Sequence, residues 1–253
     1  MPTSIPLSRA LLTWLQAPEL KLASMPDKRP YIITIDGPGG SGKGSLAVQV
    51  AGKLNFHLLD SGAIYRLAAL NAMQKGIDLK QESKVTASLE KLDIRFEIGD
   101  ELSIPYLNDV DVSEQIRLES SGEAASVIAR YAGVRKHLLG LQQGFFQDPG
   151  LVADGRDMGT VVFQQAKFKF FLSASVEIRA LRRYKQLIGM GLSANIDRLR
   201  SDISARDERD KNRAESPLIP AVDAIIIDSS LLDLEQVVDL VMSHINEVNE
   251  LVE

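Results

Sequence analysis

The chain of 253 residues contains no cysteine and only three histidines. Without cysteine the protein can have no disulfide, no cysteine-ligated zinc and no thiolate nucleophile. The histidines, His57, His137 and His244, are scattered and show no metal-ligand spacing. The lack of cysteine is compatible with a reducing compartment, and we expect a cytoplasmic protein.

Long apolar runs are also missing, since none approaches the roughly 18 residues that a membrane-spanning helix needs. Arg9 and the apolar residues 10–15 faintly suggest a secretory signal. However, the apolar part is short, and charged residues follow it closely at Glu19 and Lys21. We therefore interpret residues 1–29 as a short amphipathic extension and expect no membrane partner.

The chain has no excess of positive charge either. Its 29 Lys and Arg residues face 34 Asp and Glu residues, which gives a net charge of −5. A general nucleic-acid binder is usually basic over its whole surface, so we expect no nucleic-acid partner. A local cationic pocket is still compatible with this net charge. Hydrophobic residues make up 45% of the chain, as in globular proteins with a substantial core.

Short apolar segments alternate with helical patterns along the chain. Residues 31–36 form a β-branched run that ends at glycine and proline, as buried strands do. Similar runs lie at residues 56–60, 151–154, 168–172 and 224–228. Between them we predict helices, which include one capped by Ser61, one over about 123–146 and one over about 195–213. This alternation predicts an α/β fold with a doubly wound parallel sheet of about five strands.

One stretch departs from this alternation. Within residues 79–120, two strand-like segments at 94–98 and 102–107 flank Gly99 and Asp100. The first segment alternates apolar and polar residues, which indicates a small antiparallel insert. We therefore divide the chain into the extension (1–29), a core (30–78 and 121–253) and this insert.

A glycine-rich loop follows the first strand and precedes a helix. Its sequence fits G-x-x-x-x-G-K, the spacing with which backbone N–H groups and a lysine hold the phosphates of a nucleoside triphosphate. The context predicts a P-loop NTPase-type fold, with Lys43 reaching the terminal phosphates of ATP. The predicted ATP-binding residues are Gly37, Pro38, Gly39, Gly40, Ser41, Gly42, Lys43, Gly44 and Ser45.

The residue after Lys43 is Gly44, where GTPases and motor ATPases have a magnesium-binding Ser or Thr. Ser45 comes one position later and is a possible ligand of Mg²⁺. We assign no protein ligand to the metal and expect it to bind through phosphates and water. Asp154 is the last residue of its strand. One interpretation is that it orients a metal-bound water, and the other is that it only forms hydrogen bonds within its loop.

Polar side chains follow two further strands. Ser61 and Arg66 come after residues 56–60, and Arg156 and Asp157 come after residues 151–154. The carboxyl ends of strands in an open α/β sheet line the ligand crevice, so we expect these side chains near the phosphate loop. Arg66 and Arg156 suit a substrate phosphate, and Asp157 can accept from a hydroxyl or an exocyclic amine.

A helix near the C-terminus changes from apolar to charged along one face. Spacings of three and four residues place six side chains on that face: Ile196, Leu199, Ile203, Arg206, Asp210 and Arg213. One interpretation is a solvated helix with ion pairs of roughly 0.3–0.5 kcal/mol each. Beside a phosphate loop, an arginine-rich lid over about residues 190–216 is the better interpretation, because phosphoryl transfer needs charge stabilisation and exclusion of water.

These motifs together resemble bacterial cytidylate kinases. The matching stretches, in the family's order, are ITIDGPGGSGKGS (33–45), LLDSGAIYR (58–66), ADGRDMGTVVF (153–163), RDERDKNR (206–213) and PLIPAVDAIIIDSS (217–230). The similarity extends from about Pro30 to the C-terminus. It implies transfer of the ATP γ-phosphate to CMP or dCMP with Mg²⁺, and it implies that residues 79–120 are an NMP-binding insert. We expect a monomer.

The resemblance also implies roles for individual residues. Those at positions where the family holds the CMP phosphate are Ser61, Arg66, Arg156 and Arg213. Positions that contact the base are Ser126, Arg135 and Asp157, and those that contact the sugar are Arg206 and Asp210. Arg209 lies in the lid motif, where we expect contact with the ATP phosphates. The residues expected to be catalytic are Lys43, Arg156, Arg209 and Arg213.

Three alternatives stay open at this point. The enzyme could prefer UMP, or accept both pyrimidine nucleotides. A P-loop switch or nucleic-acid-dependent ATPase would need a Ser or Thr after Lys43, where this chain has Gly44, and a basic stripe that the acidic chain lacks. A non-catalytic binding module would have no need of an arginine lid.

Met25 lies six residues before the first strand, and it is a second candidate for the start of translation. Intact-mass measurement of protein expressed from its native gene tests this hypothesis. A mass that begins at Met25 supports it, whereas a mass that begins at Met1 contradicts it.

Overall fold

The computed structural model describes residues 30–100, 102–189, 191, 193–213 and 216–250. The extension at residues 1–29, with Met25, therefore lies outside the described residues. In the part of the chain that is described, no helix is both long and apolar enough to cross a bilayer.

A parallel sheet of five strands forms the centre of the molecule, as the sequence predicts. Within the described residues the strands are β1 (Ile32–Asp36), β2 (His57–Asp60), β3 (Ile94–Ile98), β4 (Ser103–Leu107), β5 (Val110–Asp111), β6 (Leu151–Gly155), β7 (Phe168–Ser173) and β8 (Ile225–Asp228). The parallel sheet has the order β2-β6-β1-β7-β8. Its register aligns the ends of β1, β2 and β6, with Ile35 beside Asp154 and Asp36 beside Gly155. Three loops that carry polar residues therefore leave the sheet at one edge.

Helices cover both faces of this sheet. They are α1 (Lys43–Leu54), α2 (Ser61–Gln74), α3 (Glu82–Ser88), α4 (Ser113–Arg117), α5 (Glu119–Ile128), α6 (Ala132–Gln143), α7 (Val176–Gly189), α8 (Ile196–Lys211) and α9 (Leu234–Glu250). Ile33 and Ile35 of β1 face a core that includes residues of α1 and α9. Ile32 faces the other core, formed with α2, α3 and α6. Because side chains alternate along a strand, Asp36 points toward this second face.

The insert forms its own antiparallel sheet with the order β3-β4-β5. It lies close to the parallel sheet and to α1. The side chain of Gln49 donates to the carbonyl of Asp100 at 3.3 Å, and the hydroxyl of Ser103 donates to Oδ2 of Asp60 at 3.3 Å. The insert therefore borders the same edge as the phosphate loop.

Two local predictions were wrong. The helix expected over residues 123–146 is divided into α5 and α6, because Tyr131 has an extended backbone and its hydroxyl donates to the carbonyl of Leu79 at 3.0 Å. The cap of α2 is Asp60, whose Oδ1 accepts from the backbone N–H of Ala63 at 2.8 Å, while Ser61 is the first helical residue. The short α4 and β5 were not predicted at all.

Candidate active site

The phosphate loop, residues 37–45, leads from β1 into α1. Gly40 and Gly42 have φ values of 79° and 97°, in the left-handed region that favours glycine. Gly42 is the N-cap of α1 and Lys43 its first residue, so the loop ends at the positive end of the helix. The hydroxyl of Ser41 is buried and has no hydrogen-bond partner among the described residues. This loop is therefore built to receive an anion.

Lys43 and Asp154 form the centre of the site. Nζ of Lys43 lies 3.8 Å from Oδ1 of Asp154, and both side chains are almost completely buried. Burial lowers the pKa of Lys43, while it raises the pKa of Asp154 to about 7. Negative phosphates beside Lys43 would favour its charged form, so a bound nucleotide would stabilise the folded site.

Asp36 connects the phosphate loop with the loop after β6. Its two carboxylate oxygens accept the backbone N–H groups of Met158 at 2.9 Å and Gly159 at 2.8 Å, in a π-helical turn over Met158–Val162. Burial nevertheless raises the pKa of Asp36 to about 6. These two bonds fix the loop that carries Arg156 and Asp157.

A second group of charges lies beside this loop. Nη2 of Arg135, on α6, donates to Oδ2 of Asp157 at 2.9 Å and also to the hydroxyl of Ser216. Burial raises the pKa of Tyr65, and the charges of Arg135 and Asp157 act on it as well. Residues from α2, α6 and the loop after β6 thus meet in one place, although they are far apart in the sequence.

The charged half of α8, the helix predicted to form a lid, faces the phosphate loop. Nε of Arg156 donates to Oδ2 of Asp210. A methyl group on Gly39 would lie 3.5 Å from Nη2 of Arg156 and 3.9 Å from Nε of Arg206. Burial alone would raise the pKa of Asp210, but Arg156 and Arg213 lower it below its usual value.

Arg213 follows α8 and completes this cluster. Its Nε donates to the carbonyl of Asp210 at 3.4 Å, while its Nη2 is buried without a hydrogen-bond partner in the described part of the chain. Burial lowers the pKa of Arg213. A buried N–H donor of this kind favours the binding of an anion that accepts its hydrogen bond.

Three further predicted residues lie along α2 and α5. Ser61 is buried at the start of α2, and Nη1 of Arg66 donates to the carbonyl of Ile116 at 2.7 Å. A methyl group on Gly122 would lie 3.7 Å from Nη2 of Arg66. Ser126 is one turn beyond Gly122 on α5, where its hydroxyl donates to the carbonyl of Gly122 at 3.0 Å.

The structure does not bring Arg209 to the other predicted residues. It is exposed on α8, and its Nε donates to the carbonyl of Ala205 at 3.2 Å within the same helix. In this arrangement the expected contact with ATP phosphates would need a different orientation of the side chain or of the lid.

Sequence reasoning missed two arginines on α7. Nη1 of Arg179 donates to the carbonyl of Gly39 at 3.1 Å, and Nη1 of Arg182 donates to the carbonyl of Ser41 at 3.0 Å. The hydroxyl of Ser229 also donates to the carbonyl of Ser41, at 3.1 Å. In the sequence these arginines resemble the charges of any surface helix. Their spacing of three residues, directly after a strand of the sheet, was the available signal.

Two cavities are relevant to ligand binding. One of about 270 Å³ lies beside the phosphate loop, and Ser41, Ser45, Arg182 and Leu232 are among the residues that line it. A larger groove of about 560 Å³ lies between β2, β3 and the end of α6, next to Phe56 and Phe145. The smaller cavity is the one that adjoins the phosphate-binding backbone.

The described residues contain no cluster of three or more His, Cys, Asp or Glu side chains that could hold a metal ion. One carboxylate, that of Asp154, does lie beside the phosphate loop. A methyl group on Gly44 would be 3.3 Å from its Oδ2. Mg²⁺ typically keeps several waters and binds one or two carboxylates together with substrate phosphates. The residues present fit such an ion, held mainly by nucleotide and water.

This arrangement suits phosphoryl transfer. The phosphate loop offers an anion site, and four arginines from three different segments surround the adjoining space: Arg135, Arg156, Arg206 and Arg213. Asp157 pairs with Arg135 and Asp210 pairs with Arg156, so carboxylates hold these two arginines in place. Such a preorganised cluster can stabilise the charge on donor, acceptor and transferred group.

Comparison with known proteins agrees with this geometry. The chain matches the model of the family described as "Cytidylate kinase" over residues 33–247. It is 48% identical over 220 residues to the "Cytidylate kinase" of Aeromonas hydrophila, an alignment that covers 87% of this chain and 95% of the relative. Proteins with the same name from Pasteurella multocida and Paraburkholderia phytofirmans are each 50% identical, over 85% and 86% of this chain and 95% and 96% of the relatives.

The raised pKa of Asp36 predicts a pH dependence of stability. Its folded-state pKa of about 6 exceeds the ordinary 3.8. The protonated form therefore contributes stability that is complete below about pH 3.8 and is lost as the pH rises through about 6. The shift corresponds to a contribution on the order of 3 kcal/mol. Urea unfolding of wild type and Asp36→Asn between pH 4 and 7 measures it.

In this experiment the unfolding free energy of the wild type, measured relative to that of Asp36→Asn, should fall as the pH rises, because only the wild type carries the titrating group. The exposed Asp202→Asn variant is the control and should keep the wild-type slope. Equal slopes for wild type and Asp36→Asn would contradict the assignment.

Proposed function

This chain belongs to the cytidylate kinase family, and from that premise we propose that it transfers the γ-phosphate of ATP to CMP or dCMP, giving ADP and CDP or dCDP. The observation that supports this most is the group of arginines and carboxylates that faces the phosphate loop. A P-loop fold alone would indicate only a nucleotide-binding protein.

On the donor side, the backbone of residues 37–45 holds the ATP phosphates, and Lys43 contacts the terminal ones. The cavity of about 270 Å³ beside Ser41 and Arg182 has room for part of the nucleoside. Arg209 contributes to phosphate binding if the lid turns it inward.

On the acceptor side, Arg66, Arg156 and Arg213 hold the phosphate of CMP together with Ser61. The unpartnered Nη2 of Arg213 and the position of Arg156 against Gly39 support this role. An acceptor phosphate oxygen is already anionic at neutral pH, so no strong general base is needed. Catalysis then consists of positioning and charge stabilisation.

The base is selected by Asp157, with Arg135 and Ser126 as the further candidate contacts. Cytosine presents an N4 amine donor beside an N3 acceptor, and uracil reverses both. Asp157 accepts from the amine but would meet the uracil carbonyl with lone pair against lone pair. Polar mismatches of this kind discriminate by about 10⁴-fold or more. The ion pair between Arg135 and Asp157 holds the carboxylate in place for this contact.

Arg206 and Asp210 are the candidates for the sugar. Both lie on the inner face of α8, so closure of the lid brings them to the acceptor nucleotide. Asp210 is already paired with Arg156. Substrate binding therefore rearranges an existing pair, and no buried charge has to be created.

Mg²⁺ is the expected metal. Bound through the ATP phosphates and water, with Asp154 and Ser45 as the available protein groups, it would neutralise phosphate charge. The protein itself orients the two nucleotides and excludes water. The insert at 79–120 is proposed to bind the acceptor nucleotide. Its NMP-binding role, the cytoplasmic location and the monomeric state stay predictions.

A coupled assay of ADP release tests the proposed function, with Mg-ATP and CMP, dCMP, UMP, AMP or GMP in turn. We expect release that depends on CMP and dCMP, with UMP far slower. Release with UMP alone, or equally with both pyrimidines, would replace the base assignment. Release without any acceptor would indicate an ATPase.

Removing Arg213 should slow transfer with the fold intact. We expect Arg213→Met to lower kcat by about 100-fold or more, since a single well-placed arginine contributes about 10³–10⁵ in related reactions. Arg198→Met, an exposed arginine of the same helix, is the matched control. Near-normal turnover of Arg213→Met, with an unchanged circular dichroism spectrum, would remove this residue from the site.

The base contact has a separate test. Asp157→Ala should weaken the binding of CMP and remove the preference for CMP over UMP. The affinity for ATP should stay close to that of the wild type, because Asp157 lies on the acceptor side of the phosphate loop. Titration calorimetry with each nucleotide measures this. An equal loss of affinity for ATP and CMP would argue against a role in base selection.

A further inference from the structure

A buried ion pair joins α7 to the lid helix α8. Nη1 of Arg179 donates to Oδ1 of Asp207 at 3.0 Å, and Nη2 donates to Oδ2, so the contact is bidentate. Only 3% of the Arg179 side chain and 10% of the Asp207 side chain are exposed. Most other charges of α8 are on its exposed face. Among the described salt bridges that involve α8, this pair is the most deeply buried.

Arg179 also holds the phosphate loop. The same Nη1 that reaches Asp207 donates to the carbonyl of Gly39 at 3.1 Å, and Nε donates to the carbonyl of Ala174 at 2.9 Å. A methyl group on Gly40 would lie 3.3 Å from Cβ of Arg179. One guanidinium therefore contacts the phosphate loop, the turn before α7 and the lid, through four hydrogen bonds.

The neighbours of Asp207 on α8 explain why this link concerns the reaction. Arg206 precedes it and reaches the phosphate loop at Gly39, and Asp210 lies one turn further and pairs with Arg156. Because Asp207 is fixed to α7, the rotation of α8 about its axis is fixed as well. That rotation decides whether Arg206 and Asp210 face the loop.

We propose that the Arg179–Asp207 pair is a positioning device that holds the lid over the phosphate loop, and that it thereby directs the γ-phosphate to the acceptor nucleotide and away from water. Neither residue needs to touch a substrate. This proposal rests on the proposed kinase function. A buried pair is costly to desolvate and often adds little stability, so a role in geometry accounts for it better than a role in stability alone.

The first experiment measures two rates for Asp207→Asn: ADP release with saturating CMP, and ADP release with ATP alone. With one charge removed, Arg179 keeps its bond to Gly39 but loses its bidentate partner on the lid. We expect CMP-dependent release to fall about 10-fold or more and the ratio of hydrolysis to transfer to rise about fivefold or more, since an open lid admits water. Asp202→Asn is the matched control, because Asp202 forms an exposed pair with Arg198 on the same helix, with side-chain exposures of 66% and 84%.

A double variant, Arg179→Met with Asp207→Leu, separates positioning from stability. It replaces the pair with apolar side chains that can pack together, so its thermal midpoint should approach that of the wild type. The ratio of hydrolysis to transfer should stay raised, because the contact with Gly39 and the fixed rotation of α8 are lost. Recovery of the wild-type ratio in the double variant, or a wild-type ratio in Asp207→Asn, would overturn the proposal.

Limited trypsin digestion tests the link without reference to any substrate. Trypsin cleaves after Arg198, Arg200 and Arg209, which are exposed on α8. Cleavage there should accelerate about 10-fold or more in Asp207→Asn but not in Asp202→Asn, because local opening exposes the helix backbone. Unchanged cleavage would contradict the proposed link, whether or not the wild type shows CMP-dependent activity. A wild type without CMP-dependent activity would overturn the proposed function by itself.

Discussion

Four arginines and a lysine converge on the carboxyl edge of the parallel sheet, and their mutual repulsion is the constraint on which the site depends. Without nucleotides, that repulsion is balanced by carboxylates. Asp157 pairs with Arg135, Asp210 with Arg156, and Asp154 lies beside Lys43. The balance is incomplete at Arg213, whose Nη2 is buried without a partner among the described residues. Phosphates can therefore enter a site that is already arranged for negative charge.

The fold explains how residues so distant in sequence reach this edge. Parallel strands β1, β2 and β6 end side by side, and each is followed by a loop or helix that carries site residues. Asp36 adds a direct connection, since it ends β1 and accepts two backbone N–H groups from the turn after β6. The phosphate loop and the loop after β6 are thus fixed to each other through one buried carboxylate.

Much of this could be predicted from the sequence, for physical reasons that differ from element to element. The phosphate loop requires glycines at set positions, and the inner face of α8 follows from helical spacing, so both were predictable. The break at Tyr131 was not, because the apolar periodicity continues on both sides and a tertiary bond to Leu79 decides the conformation. Asp207 could not be identified either. In the sequence it is one charge among many on a polar helix, and only packing against Arg179 shows that it is buried.

We propose that one preorganised cluster serves the phosphates of both nucleotides at once. The most direct measurement is titration calorimetry with a single molecule in which adenosine and cytidine are joined by five phosphates, compared with its uridine counterpart and with ATP. The account predicts that the cytidine compound binds about 100-fold tighter than ATP or more, because it occupies both halves of the site together, and that the uridine compound loses most of this gain. Equal affinity of all three ligands would contradict it.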